Sequence, residues 1–314
     1  MLLSWAKSLI QTLRFQEEIL IDTDIGDDID DAFAIAWALA SPRIKVSAVL
    51  TAHGDTLLRT RLVARMLQSR NREDVQVFAG VKTKTDIVFT QRLWAENGPS
   101  VAESDGIAAA LDLIRSRKHR ITLVTLAPLH NIKAMIERDP ATFRMLKRVV
   151  VMGGSIRRGY NSLDGEINPT PQGEHNIFLN PPALHALLNI AVPITMMPLD
   201  AVQARPSGGF LSLICNEHPD LAELLALWQE NNIFDIKQPT LFDVVAIAAV
   251  LAPKSCPLTT LRIAVDDSGM TTEVSAGAEV QACLKTDHEK VLDVVARELC
   301  PSKSFNTRLS SSKH

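Results

Sequence analysis

Six short apolar runs punctuate residues 19–200: "ILIDTD" (19–24), "VSAVLT" (46–51), "VQVFAG" (75–80), "RITLVTLA" (120–127), "RVVVMGG" (148–154) and "VPITMMPLD" (192–200). Each has strand length and gives way to polar, glycine or proline residues. Between them lie longer segments, including "DDAFAIAWALA", "LLRTRLVARMLQ", "GIAAALDLIRSR", "PLHNIKAMIER" and "PPALHALLN", whose apolar residues recur at three and four. That spacing lays an apolar stripe along a helix. Strands alternating with helices predict βαβ units, hence an α/β fold with an open, mostly parallel, Rossmann-like sheet flanked by helices. Ligands in such sheets bind beyond the carboxyl ends of the strands.

The first run feeds directly into an acidic stretch. Asp22, Asp24, Asp27, Asp28, Asp30 and Asp31 fall within ten positions. Two carboxylates about 4 Å apart repel by roughly 4 kcal/mol at an effective dielectric near 20, so a fold must separate them, protonate some or supply a cation. Asp22 and Asp24, two apart at the end of a strand, are expected to share one face. Asp30 and Asp31 open the next helix, where the macrodipole favours negative charge and where either residue is placed to act as a cap. Capping leaves Asp22 and Asp24 unexplained. A hard divalent cation, which takes six to eight oxygen ligands, accounts for the whole group. "DTD" after a strand also resembles the nucleophile motif of haloacid dehalogenase phosphatases, but Ile25 and Gly26 stand where those enzymes carry a hydroxyl residue. "DDIDD" fits the DDxxD spacing of terpene synthases, whose all-helical fold conflicts with the preceding strand.

Composition narrows the partners. The chain has 314 residues, 46% hydrophobic and 22% charged, enough to bury a large core. A formal charge of -3 offers no basic footprint for nucleic acid or an anionic membrane, and no apolar window reaches the roughly 18 residues of a membrane span. Small molecules and protein partners remain. Residues 1–17 read as a short amphipathic helix and not a signal peptide, because Lys7, Gln11 and Arg14 interrupt the apolar start. Residues 18–300 are expected to form one domain, and the polar tail 301–314 to be mobile. Cys215, Cys256, Cys283 and Cys300 are scattered without a CxxC pair, which suits reduced thiols in a cytoplasmic protein.

The ordered blocks "IDTDIGDDIDDAFAI", "TAHGDT" (51–56), "LVTLAPLHNI" (123–132), "VVVMGGS" (149–155), "NPTPQGEHNIFLNPPA" (168–183) and "PTLFDVVAIAAVLAP" (239–253) resemble the inosine-uridine preferring nucleoside hydrolases. The first block looks like that family's DTDxGxDDA signature with two additional residues before the final Asp pair. The resemblance implies the nucleoside hydrolase fold, a calcium ion, a homodimer or homotetramer, and hydrolysis of ribonucleosides to ribose and free base in nucleoside catabolism and salvage. It implies that Asp24, Asp31, Asp243 and the main-chain carbonyl of Leu126 ligate calcium, with Asp24 also the base for a metal-bound water. Asp30, Asn168, Glu174 and Asn176 would hold the ribose. Asp55 stands where many members have Asn, so its ribose contact would be altered.

One departure bears on the chemistry. Phe242 occupies the place where well-known members have a His that helps protonate the departing base, and a phenyl ring donates no proton. The base is then expected to leave through aromatic stacking by Phe242 or Trp94, or through solvent. The alternative is a catalytically weak relative that binds a nucleoside or ribosyl compound as a sensor or partner subunit. His53 and His130 read as loop or cap residues, His175 as a packing residue facing away from its neighbours, and Asp28 as part of a loop extension.

Overall fold

A computed structural model describes residues 16–162, 165–233 and 235–302. Nine strands form one sheet: β1 (Glu17–Thr23), β2 (Ile44–Thr51), β3 (Gln76–Ala79), β4 (Ile121–Thr125), β5 (Arg148–Met152), β6 (Ile194–Met197), β7 (Leu258–Val265), β8 (Thr271–Glu273) and β9 (Ala278–Cys283), in the order β3-β2-β1-β4-β5-β6-β9-β7-β8. Pairing is parallel from β3 through β9 and antiparallel where β7 meets β9 and β8. All six sequence-predicted strands are present within the parallel part. The first predicted helix spans Asp30–Ala40.

The antiparallel edge was not legible from apolar runs. β7 reads "LTTLRIAV", with Leu258, Thr259, Thr260 and Arg262 exposed and only Leu261 and Ile263 buried, so no continuous apolar signal arises. The helices Gly208–Glu217 and Pro219–Asn231 were likewise unread. At the other end, β1 begins at Glu17, the last residue of the expected N-terminal helix, because its carboxylate meets Arg148 at 3.0 Å and Lys147 at 3.2 Å. The rest of that expected helix, residues 1–15, and the tail from 303 onward lie outside the described residues.

β1 is buried on both faces. Ile19 and Ile21 pack with Phe33, Trp37 and Val49 on one side of the sheet, and Leu20 packs with Ala48, Leu50 and Leu123 on the other. Side chains alternating across a strand place one apolar layer above and one below. The helix Asp30–Ala40 is buried along nearly its whole length, from Asp30 to Leu39, and packs against the equally buried helix Phe242–Leu251. A helix apolar on every side belongs in a core. Both of these central helices begin with acids, Asp30 and Asp31 in one and Asp243 in the other, and their N-termini meet near the end of β1.

That end is the switch point of the sheet. β1 lies between β2 and β4, so the chain crosses over in opposite directions on its two sides and a crevice opens at the carboxyl ends. Among the described residues, no helix is long and apolar enough to cross a membrane.

Candidate active site

A cavity of about 840 Å³ opens at the carboxyl ends of β1, β2, β4 and β5. Eight of the ten sequence-predicted site residues line it: Asp24, Asp30, Asp31, Leu126, Glu174, Asn176, Phe242 and Asp243. The other two stand elsewhere. Asp55 caps the helix Thr56–Ser69, accepting from the Leu58 N–H at 3.2 Å. Asn168 folds its own loop, accepting from the Thr170 N–H at 3.0 Å and donating to Gln172 Oε1 at 3.2 Å.

Asp30, Asp31 and Asp243 offer oxygens that all lie within 4.8 Å of one another, and all three residues are buried. Within the group the Asp243 N–H donates to Asp30 Oδ2 at 3.2 Å, and the Thr23 hydroxyl donates to Asp31. Burial pushes each of these carboxyls well above the usual range, and the charges of neighbouring aspartates push further: Asp28 on Asp30, Asp24 on Asp31, Asp30 on Asp243. Two helix N-termini answer part of this repulsion, at roughly 0.3–1 kcal/mol each. An all-oxygen donor set, buried and mutually repelling, fits a hard divalent cation.

Without a cation, the cluster makes stability depend on pH. Asp24 is pushed up to about 6 and Asp22 to about 7, burial being the largest cause in both. A carboxyl whose folded value exceeds its unfolded value binds more protons folded than unfolded, so stability falls as pH rises from the unfolded value through the folded one. Thermal melts in chelator should therefore show Tm dropping by several degrees between about pH 5 and pH 8. A divalent cation at millimolar concentration should reduce the drop, leaving the part that Asp22 contributes away from the cavity.

The loop from Asp24 to Ile29 is built around two features. Gly26 has φ +124°, and a Cβ there would sit 1.8 Å from the Phe89 ring, so neither the backbone nor the space admits another residue. Arg59, 1% exposed, reaches under the loop to the carbonyls of Asp24 and Ile25 (2.8 Å), to that of His53 (2.9 Å), and to Asp27 Oδ2 (2.7 Å). This buried cation is committed to Asp27 and the backbone rather than to the acidic triad. Arg59→Met should destabilise the fold by about 3 kcal/mol, since it strands Asp27 and removes the loop's donors. Urea titration checks this, with a loss under 1 kcal/mol counting against it.

Several expectations are revised. β1 ends at Thr23, so Asp24 leaves the pleat and does not share a face with Asp22. Asp22 instead accepts from Thr125 Oγ1 at 2.9 Å and Asn131 Nδ2 at 2.7 Å, outside the cavity. Asp28, expected in an idle loop extension, lines the cavity, because Gln91 Nε2 holds its carbonyl at 2.6 Å and turns the loop inward. His175 opens the short helix His175–Phe178 where an extended segment was expected, and it too lines the cavity, as does His53. Trp94 does not: it is 4% exposed, donates its indole N–H to Glu223 at 2.7 Å and lies beneath Arg65. Trp228 contributes the indole to the cavity wall.

Glu174 and Asn176 hold the cavity's third side. Glu174 caps the short helix, accepting from the N–H groups of Asn176 (2.9 Å), Ile177 (3.2 Å) and Gly154 (3.0 Å). Asn176 Nδ2 donates to the carbonyls of Leu126 (3.1 Å) and Met152 (3.2 Å), which ties this helix to the ends of β4 and β5. Tyr160, the chain's one tyrosine, accepts from the His175 N–H at 3.0 Å and meets the Phe242 ring edge-on, centroids 6.0 Å apart. Tyr160, Trp228 and Arg59 were missed in the sequence. An isolated tyrosine in a loop is a weak signal, Arg59 sits on a helix that read only as an amphipathic packing element, and Trp228 sits on one of the two unread helices.

Residues 19–293 match the family profile described as inosine-uridine preferring nucleoside hydrolase. The chain is 25% identical over 316 residues to the pyrimidine-specific ribonucleoside hydrolase RihA of Klebsiella pneumoniae, covering 90% of this chain and 97% of that protein. It is 31% identical over 198 residues to RihA of an Enterobacter species, an alignment that spans 58% of this chain and only 59% of the relative. Among solved structures, a plant nucleoside hydrolase (TM-score 0.75, 22% identity) and a purine-preferring ribonucleoside hydrolase from Gardnerella vaginalis (TM-score 0.75, 18% identity) share the fold, each over 90% of this chain and 98% of the other. Profile, curated relatives and fold agree: the chain belongs to the inosine-uridine preferring nucleoside hydrolase family, whose members are hydrolases of N-glycosyl compounds.

Proposed function

We propose that this chain hydrolyses the N-glycosidic bond of ribonucleosides to ribose and free base, with a calcium ion held by Asp24, Asp31, Asp243 and the carbonyl of Leu126. The observation that carries this reading is the buried trio Asp30, Asp31 and Asp243, with Asp24 lining the same cavity, which also presents apolar and aromatic residues that include Val88, Tyr160, Trp228, Ile236 and Phe242. Such a cavity suits a sugar diol at the acidic end and a flat heterocycle against Phe242, Tyr160 and Trp228. When bound, calcium supplies positive charge that orients the ribose hydroxyls and acidifies water at the site.

The protein's own groups do the rest. Asp24 accepts the proton of the attacking water. Asp30, Glu174 and Asn176 hold the ribose: Asn176 commits its amide N–H groups to backbone carbonyls, which leaves Oδ1 for a hydroxyl, and Glu174 keeps acceptor capacity beyond its three backbone partners. As the bond breaks, the sugar becomes oxocarbenium-like, and the surrounding carboxylates stabilise that positive charge.

The test is incubation of the purified protein with a panel of purine and pyrimidine ribonucleosides and chromatography for free base, with calcium and after chelation. Calcium-dependent release of base supports the reading. Binding without release would favour the sensor or partner-subunit alternative.

A further inference from the structure

His53 stands two residues past β2 at φ 60°, a left-handed backbone that residues other than glycine seldom adopt. It is 3% exposed and is among the residues that line the cavity. Nδ1 lies 2.8 Å from Thr83 Oγ1, while Nε2 has no hydrogen-bond partner among the described residues. An unpaired buried polar atom on a strained backbone is a combination that collects at functional sites.

The neighbours define which proton the ring carries. Thr83 Oγ1 already accepts from the Gly54 N–H at 2.9 Å. Donation of the threonine proton to Nδ1 gives both the Gly54 N–H and the threonine hydroxyl an acceptor and leaves the ring proton on Nε2. The ring is held flat against His130, centroids 5.6 Å apart. Burial, reinforced by the charges of Arg59, His130 and His175, holds the imidazole down at about 4, so it is neutral at neutral pH.

We infer that His53 presents a neutral Nε2–H donor to the departing base of a ribonucleoside, stabilising negative charge there without giving up its proton. The inference rests on the hydrolase reading above. With a cation bound, the carboxylates at the sugar end are ionised and only accept, Val88, Ile236 and Phe242 offer no hydrogen bond, and the buried Nε2 of His53 is a donor without a hydrogen-bond partner among the described residues. When the C1′–N bond breaks, its electron pair leaves with the base and the water oxygen bonds to C1′. Asp24 holds the water's proton, and the base takes its own proton from solvent. A hydrogen bond to the base strengthens as its charge develops and therefore acts on the transition state.

The test compares kcat/KM of the wild type, His53→Gly and Thr83→Val on uridine, inosine and p-nitrophenyl riboside. Glycine adopts the left-handed backbone without strain, so the first variant keeps the turn. The second leaves the imidazole in place and removes the hydroxyl that sets its tautomer. His53→Gly should lose about 10²-fold on the nucleosides. That loss should exceed its loss on p-nitrophenyl riboside, whose leaving group needs no donor, by at least tenfold. Thr83→Val should show a smaller loss in the same order. Equal losses on all three substrates, or none, overturn the proposal. A wild type that releases base from no nucleoside overturns the hydrolase reading, and this inference with it.

Discussion

Asp24→Asn is expected to lower kcat for nucleoside hydrolysis by about 10²–10⁴-fold, the range typical of losing a general base. Asn keeps an oxygen toward the cation but accepts no proton, so calcium binding, followed by calorimetry, should weaken less than in Asp24→Ala. Asp24 lies one residue past β1, where the chain leaves the sheet and enters the cavity that Asp30, Asp31 and Asp243 also line. Asp28→Ala should cost far less, because the Asp28 carboxylate accepts from the Ile29 N–H at 2.6 Å and is proposed neither as ligand nor as base, yet its position on the cavity wall makes some loss in KM the expected result. A kcat within tenfold of wild type for Asp24→Asn would reassign the base, and Asp28 would be the next residue to replace.

A second large effect is expected at the leaving group. Phe242 lines the cavity next to Tyr160, and neither the phenyl ring nor a phenol held well above its ordinary value by burial and by the Glu174 carboxylate gives up a proton readily. The rate should then follow the intrinsic ability of the base to depart. Riboside substrates with activated leaving groups such as p-nitrophenolate should react about 10²–10⁴-fold faster than inosine, the size of effect that general acid assistance otherwise provides. Phe242→His should narrow that gap by raising the inosine rate. Single-turnover rates that are similar for both substrates in the wild type would show that another residue protonates the base.

Much of the architecture was legible in the chain. Apolar runs such as "ITLVT" are buried on both faces of the sheet and so are nearly continuous in sequence, and the helices between them keep the spacing of one apolar stripe. β7 and β8 were not legible because this antiparallel edge leaves most of their residues exposed and carries threonine, arginine and glutamate there. The acidic stretch was legible as a candidate cation site by simple repulsion, while the separation of Asp22 and Asp27 from the buried trio was not.

The site itself divides along the same line. Sequence determined which residues could carry the chemistry, since six aspartates in ten positions, an Asn and Glu in a proline-rich loop, and the Phe242-Asp243 pair are visible without coordinates. Only the tertiary structure decided which of them meet. Asp22 and Asp24 are two residues apart yet face different surroundings, because the strand ends between them and its pleat with it. Asp31 and Asp243, 212 positions apart, share one pocket because two buried helices point their N-termini at the switch point of the sheet. His53 and Trp228 enter the cavity, and Trp94, Asp55 and Asn168 do not, for a comparable reason. A side chain's direction depends on backbone angles and on the neighbours that pair with its polar atoms, and those neighbours lie far away along the chain.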